Sequence, residues 1–195
     1  MPGNDDLLFD APAEVRYRFL LVIAPAPDVE AEVTALKRSL RERIGGFSSS
    51  NAIPHITLFF ADLPAGVEAD LREGVRRGCI GQRAFDLHVR GTKHFPDRRT
   101  IYLDPVEKEA IAALRGPIVQ QVRAIPALRH GVRVTGDPHL TIAGGLKPQQ
   151  FAAIWPELSA LAHDSLTRVH EVLLLKRPLS SAGRYEAVEC FPLRG

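Results

Sequence analysis

The sequence predicts a mixed helix-and-strand protein built as two pseudo-symmetric βαβαβ-type lobes that face each other across a cleft. Three observations predict it. Strand-like and helix-like segments alternate along the chain, their order repeats once, and one strand of each repeat carries the same short pattern around a histidine. The 195 residues, 45% hydrophobic and 25% charged, have ordinary globular content and suffice to bury a core.

The first unit opens with Phe19-Leu20-Leu21-Val22-Ile23-Ala24, a short apolar run closed by Pro25 and Pro27, which suits a buried strand. Val29, Val33, Leu36, Leu40 and Ile44 then recur at helical spacing until Gly45-Gly46 ends the pattern. A Ser-rich loop, Ser48 to Asn51, leads into Ile53 to Phe60, whose β-branched and aromatic content favours a strand. Val67, Leu71, Val75 and Cys79 form the next helical face, Gly81 closes it, and Phe85, Leu87 and Val89 alternate as a strand does.

The same order follows again. Thr100 to Leu103 reads as a strand, Val106 to Ile125 as a helix broken at Gly116-Pro117, and Pro138 to Ala143 as a strand. Phe151, Ile154, Leu158 and Leu161 give a helical face, Val169 to Leu175 a strand, and Tyr185 to Phe191 a last one. Setting Phe19 against Tyr102, His55 against His139 and Phe85 against Leu166 gives offsets of 83, 84 and 81 residues by subtraction. We therefore expect one bilobal domain over residues 16–195, from duplicated units of about 16–98 and 99–180. A polar arm over residues 1–15, with Asp5, Asp6, Asp10 and Glu14, precedes it.

Charge and composition narrow the function. Twenty-five Lys and Arg against 23 Asp and Glu leave +2, no footprint for gripping long duplexes, so a nucleic-acid substrate is small or held locally. The longest uninterrupted apolar stretch, Phe19 to Pro27, falls far short of the roughly 20 residues a membrane helix needs. Cys79 and Cys190 lack CxxC spacing and the density of a disulfide scaffold, so we expect reduced thiols and a cytoplasmic protein.

The repeated pattern is Pro54-His55-Ile56-Thr57-Leu58 and Pro138-His139-Leu140-Thr141-Ile142. With 7 histidines in the chain, chance would supply His-x-Thr only about 0.25 times, and two copies with matching flanks far less often. On a strand alternate side chains share a face, so each His stands beside its Thr while the apolar neighbours pack behind. Two imidazoles supply the base and the acid that phosphodiester cleavage needs, and each threonine can donate to a nonbridging phosphate oxygen. Zinc is the next reading for paired histidines. Only Asp137 lies at ligand spacing, and threonine is a poor zinc ligand, so we expect no metal.

On these motifs and the bilobal order the chain, over about Arg16 to Leu193, resembles the 2H phosphoesterase superfamily, in its 2′-5′ RNA ligase-like and cyclic phosphodiesterase branch. The Phe95 to Leu103 segment also resembles that family's stretch between lobes. The resemblance implies an α+β bilobal fold with antiparallel sheets around a central cleft. His55, Thr57, His139 and Thr141 would line it as catalytic residues, with no cofactor. It implies RNA ends or small nucleotides bearing a 2′,3′-cyclic phosphate as substrates, opened to a 2′-phosphate, with 2′-5′ linkages as a further target. It gives His139 the base role towards water and His55 the acid role. No obligatory protein partner is evident.

Phe59, read on the face of His55 and Thr57, and Phe95, by resemblance, are the candidate substrate-binding residues; core packing is the alternative for each. Some relatives carry an Arg or aromatic residue just after the second motif, where this chain has Ala143-Gly144-Gly145. Arg98-Arg99 and Lys176-Arg177 are charge pairs able to touch flanking phosphates, although solvated surface is the commoner role. His88, His94, His130, His163 and His170 have no catalytic pattern around them. The alternative function is a module of the same fold that binds a nucleotide or RNA end without turning it over.

Overall fold

The computed structural model describes residues 14–134, 136–181 and 183–195. Most of the polar arm expected over residues 1–15 therefore lies outside the described residues. The elements run β1 (Arg16–Ile23), α1 (Pro27–Ile44), β2 (Ile56–Pro64), α2 (Glu68–Cys79), β3 (Phe85–Phe95), β4 (Thr100–Pro105), α3 (Lys108–Ala124), β5 (Val132–Val134), β6 (Leu140–Ala143), α4 (Pro148–Ser159), β7 (Asp164–Val169), β8 (Glu171–Pro178) and β9 (Glu186–Pro192). No helix among the described residues is long and apolar enough to cross a membrane.

The α+β expectation holds. All nine strands join one antiparallel sheet in the order β7-β3-β4-β6-β2-β1-β8-β9, with β5 pairing to β2. Alternation along the strands sends one set of side chains, such as Phe19, Leu21 and Ile23, into a large core shared with residues of all four helices. The other set, Leu20, Val22, Leu173, Leu175, Phe60 and Tyr185, forms a small cluster on the opposite face. That second face carries the site.

The strand pairing follows the same pattern twice. In the first unit Val22 pairs with Thr57 and Ile23 with Ile56; in the second Tyr102 pairs with Thr141 and Leu103 with Leu140. Val22, not Phe19, is therefore the counterpart of Tyr102, an offset of 80 residues. The same offset relates Lys93, opposite Tyr102, to Leu173, opposite Val22. The third strands are exchanged: β3 lies beside β4 of the second unit, and β8 beside β1 of the first. Each half of the sheet thus draws on both sequence units.

Two local expectations need correction, and one strand was not read from the sequence. The strand expected over Val169 to Leu175 is two: the chain leaves β7, paired with β3, and enters β8, paired with β1, around His170, whose carbonyl accepts from Leu193 N at 2.8 Å. β5 is too short for its periodicity to be read. And α3 does not break at Gly116-Pro117. Pro117 deletes a single i→i−4 bond, while Ile111, Leu114, Ile118 and Val122 bury a continuous face that keeps the helix running.

What α3 packs on explains the tolerance. α2 presents Gly74 and Gly78 to it, and a Cβ built on Gly78 would lie 2.3 Å from Ile118 Cα. The two backbones approach so closely that only hydrogen fits between them. Gly78→Ala is accordingly expected to destabilise the fold by about 1–3 kcal/mol, the usual cost of overpacking. Gly66→Ala, with nothing within 4 Å of the added carbon, should stay within about 0.5 kcal/mol. Urea unfolding of both variants tests the contact, and equal midpoints would refute it.

Candidate active site

The halves of the sheet meet through a single residue pair, Ile56 opposite Leu140. Both are buried, 1% and 0% exposed, so both point to the helix-covered face. Their neighbours must then point the other way. In an antiparallel register centred on that pair, His55 stands across from Thr141 and Thr57 across from His139, on the cleft face. All four side chains are partly exposed.

Both strands bulge immediately after the threonine. Thr57 pairs with Val22 but Phe59 with Leu21, leaving Leu58 extra; Thr141 pairs with Tyr102 but Ala143 with Ile101, leaving Ile142 extra. A bulge resets which face later residues occupy. This overturns the expectation for Phe59, which is 0% exposed in the core, and brings Phe60 onto the cleft face in its place. The bulge was invisible to simple alternation counting.

Each imidazole is held the same way. His55 Nδ1 lies 2.7 Å from Ile53 O, and His139 Nδ1 lies 2.9 Å from Asp137 O. A carbonyl only accepts, so Nδ1 carries the proton in both rings and Nε2 is the atom left for proton transfer. Pro54 and Pro138 sit between donor and acceptor, restricting the backbone that presents those carbonyls. This gives the proline of the repeated pattern a physical role.

Burial pushes the His55 pKa below its ordinary 6.5, and the charges of Lys37 and His139 push the same way against the bond to Ile53. Lys37, on α1, was missed by sequence reasoning. Its signal was there: it replaces an apolar residue on the stripe of Val33, Leu36 and Leu40. Only 3% exposed, it donates from Nζ to Ala52 O at 2.8 Å, and desolvation lowers its pKa to about 8.

On the His139 side Phe95 stacks on Tyr102 with centroids 4.4 Å apart, and both rings meet His139 edge-on at 5.0 and 5.5 Å. A cavity of about 410 Å³ opens there, lined by Phe60, Phe95, Arg98, Val134, Asp137 and His139. On the His55 side a second cavity of about 480 Å³ is lined by Arg41, Arg177, Arg184 and Tyr185. Arg99, by contrast, turns to Leu146 O at 2.8 Å, and Lys176 pairs with Glu68 at 2.9 Å.

The Ala143-Gly144-Gly145 departure has a packing cause. Ser48 Oγ donates to Gly144 O at 2.6 Å, Gly144 N donates to Ser49 Oγ at 2.8 Å, and a Cβ on Gly145, at φ +64°, would lie 2.5 Å from Ser48 Oγ. The Ser-rich loop of the first unit is clamped onto the second. Other histidines serve structure: His88 bonds Glu107 at 2.8 Å, and His163 bonds Glu32 and Ser165. Among the described residues no three His, Cys, Asp or Glu side chains gather as a metal site would require.

The model of the 2′-5′ RNA ligase superfamily matches residues 25–180. The chain belongs to that superfamily of 2H phosphoesterases. The fold is similar to that of TT0787 of Thermus thermophilus, with a TM-score of 0.69, 20% identity and coverage of 91% of this chain and 98% of that one. It is similar also to E. coli LigT in apo form, at 0.62 and 18% over 94% and 100%, and complexed with 3′-AMP, at 0.61 and 16% over 92% and 99%. None of the curated proteins matches the chain in sequence. Phe60, Tyr102 and Lys37, which the sequence did not single out, lie around the two His-x-Thr pairs in the structure.

The electrostatics can be read directly. In ¹³C- or ¹⁵N-edited spectra the His55 ring should titrate below 6.5, because desolvation and nearby cations disfavour its charged form. Removing one of those cations in Lys37→Met should move the midpoint upward. An unchanged or lowered midpoint would show that Lys37 does not act on His55.

Proposed function

We propose that this chain is a metal-independent phosphodiesterase that opens the 2′,3′-cyclic phosphate of a nucleotide or RNA end to a 2′-phosphate by acid–base catalysis between His55 and His139. The observation that carries the reading is the cross-strand arrangement of the two His-x-Thr pairs about Ile56 and Leu140. Histidines at diagonal positions of an antiparallel pair stand about 7–8 Å apart at the backbone. That spacing admits one phosphorus between their Nε2 atoms, with a threonine hydroxyl beside each to donate to a nonbridging oxygen. Superfamily membership supports phosphoester chemistry, and a bound 3′-AMP is described for E. coli LigT.

The lowered pKa of His55 and the aromatic cavity beside His139 support the reverse of the roles that the resemblance implies. Desolvated His55 is held neutral and is the base: its Nε2 takes a proton from water as the water oxygen bonds to phosphorus. The P–O3′ bond breaks, and His139 Nε2 delivers a proton to O3′, leaving the phosphate on O2′. A nucleobase against Phe95 and Phe60 places the ribose, and hence the departing oxygen, on the His139 side.

The test is hydrolysis of the four nucleoside 2′,3′-cyclic phosphates in excess EDTA with product regiochemistry resolved. Opening to the 2′-phosphate should persist in EDTA and fall about 10²–10⁴-fold in His55→Ala and in His139→Ala. An activated leaving group should rescue His139→Ala and not His55→Ala; the opposite pattern reverses the roles. Activity abolished by EDTA would overturn the metal-free mechanism, and tight nucleotide binding without turnover would replace the enzyme with a binding module.

A further inference from the structure

The cavity on the His55 side has a chemistry that opening a cyclic phosphate on a single nucleoside does not use. Arg41, Arg177 and Arg184 line it, and no carboxylate does among the described residues. The cations are not consumed by neighbouring acids. Asp62, a carboxylate of the same sheet face, is held bidentately by Arg18 at 2.7 and 2.6 Å. Arg177 Nε is buried with no hydrogen-bond partner among the described residues, and its guanidinium lies over the Tyr185 ring at 4.8 Å. A desolvated arginine donor without an acceptor is costly unless a ligand supplies one.

Position matters as much as charge. Leu173 lies across from Val22, and Val22 across from Thr57, so this row marks the reacting phosphate; Arg177 lies four residues further along β8 on the same face. Four residues of strand span roughly 13 Å, so Arg177 stands at the far end of a cavity that His55 also lines. Between them the floor is Leu175, with Tyr185 beside it, an apolar and aromatic surface suited to a nucleoside.

We infer that this cavity is a second anion subsite, which takes a phosphate one nucleotide removed from the reacting phosphorus, with Arg177 and Arg184 as its ligands and the intervening nucleoside on Leu175 and Tyr185. The inference deepens the proposed function, since its first anchor is the His-x-Thr phosphate site.

Equilibrium binding separates this inference from the catalytic reading, because it needs no turnover. Adenosine 3′,5′-bisphosphate should bind the wild type at least about tenfold more tightly than adenosine 5′-monophosphate at low salt, with a steeper salt dependence. In Arg177→Gln/Arg184→Gln the two ligands should bind alike. Arg184→Gln alone changes an exposed residue, so it should fold normally and remove part of the advantage. The dinucleotide pApA, whose linking phosphodiester stands in for the 3′-phosphate, separates the sources: retained advantage assigns the subsite to an RNA end, and loss assigns it to a free bisphosphate nucleotide. Equal affinity for bisphosphate and monophosphate in the wild type, or an advantage that survives both arginine changes, would overturn the subsite. Bisphosphate preference without any cyclic-phosphate hydrolysis would leave the subsite standing and remove the catalytic reading instead.

Discussion

The site depends on one apolar contact between the halves of the sheet. Ile56 and Leu140 are driven into the core by the hydrophobic effect, each side chain worth roughly 1.5–3 kcal/mol when fully buried, and a strand cannot bury a residue without turning its neighbours outward. His55, Thr57, His139 and Thr141 are those neighbours. The geometry of the two His-x-Thr pairs is thus a by-product of core packing, and it is stiff for the same reason. Moving one histidine along its strand by a single residue would exchange every core and cleft side chain of that strand. The bulges at Leu58 and Ile142 then keep both residues after each threonine buried, which confines the polar face to the His-x-Thr pair itself.

Symmetry of this kind sets a problem for acid–base chemistry, because two equivalent imidazoles would have equivalent proton affinities. The surroundings break the equivalence. Behind His55 lies the buried ammonium of Lys37, tied to Ala52 O in the loop whose Ile53 carbonyl orients the His55 ring. Beside His139 lie the rings of Phe95 and Tyr102. A desolvated imidazole next to a cation favours its neutral form, and burying the Lys37 ammonium, offset in part by its bond to Ala52 O, carries a desolvation cost.

How much of this was legible follows from where the information is stored. The repeated Pro-His-apolar-Thr-apolar pattern, the element order and the near-constant offset between units are local or periodic, and they led to the fold class and the four motif residues. What escaped is set by pairing between distant strands. Phe59 and Phe60 are adjacent aromatic residues, and only the ladder to Leu21 and Val22 reveals which one the bulge turns into the cleft. The exchange of β3 and β8 between halves, and the uninterrupted α3, likewise depend on tertiary packing, the latter on Gly74 and Gly78 of a different helix. Gly144-Gly145 looked like a missing ligand, and is instead the landing place of Ser48 and Ser49.

The pseudo-symmetric register also explains why the flanks of the site differ while its centre does not. Val22 and Tyr102 occupy equivalent positions, as do Phe60 and Gly144 and, one strand further out, Leu173 and Lys93. At each of these positions one unit carries a flat apolar or aromatic group where the other carries something unlike it. The centre must accept either face of a tetrahedral phosphate, and duplication serves that. On the proposed function the flanks must tell a nucleobase from a phosphate, which identical halves cannot do. An aromatic cavity beside His139 and an arginine-lined cavity beside His55, each drawing on both units, flank the two His-x-Thr pairs.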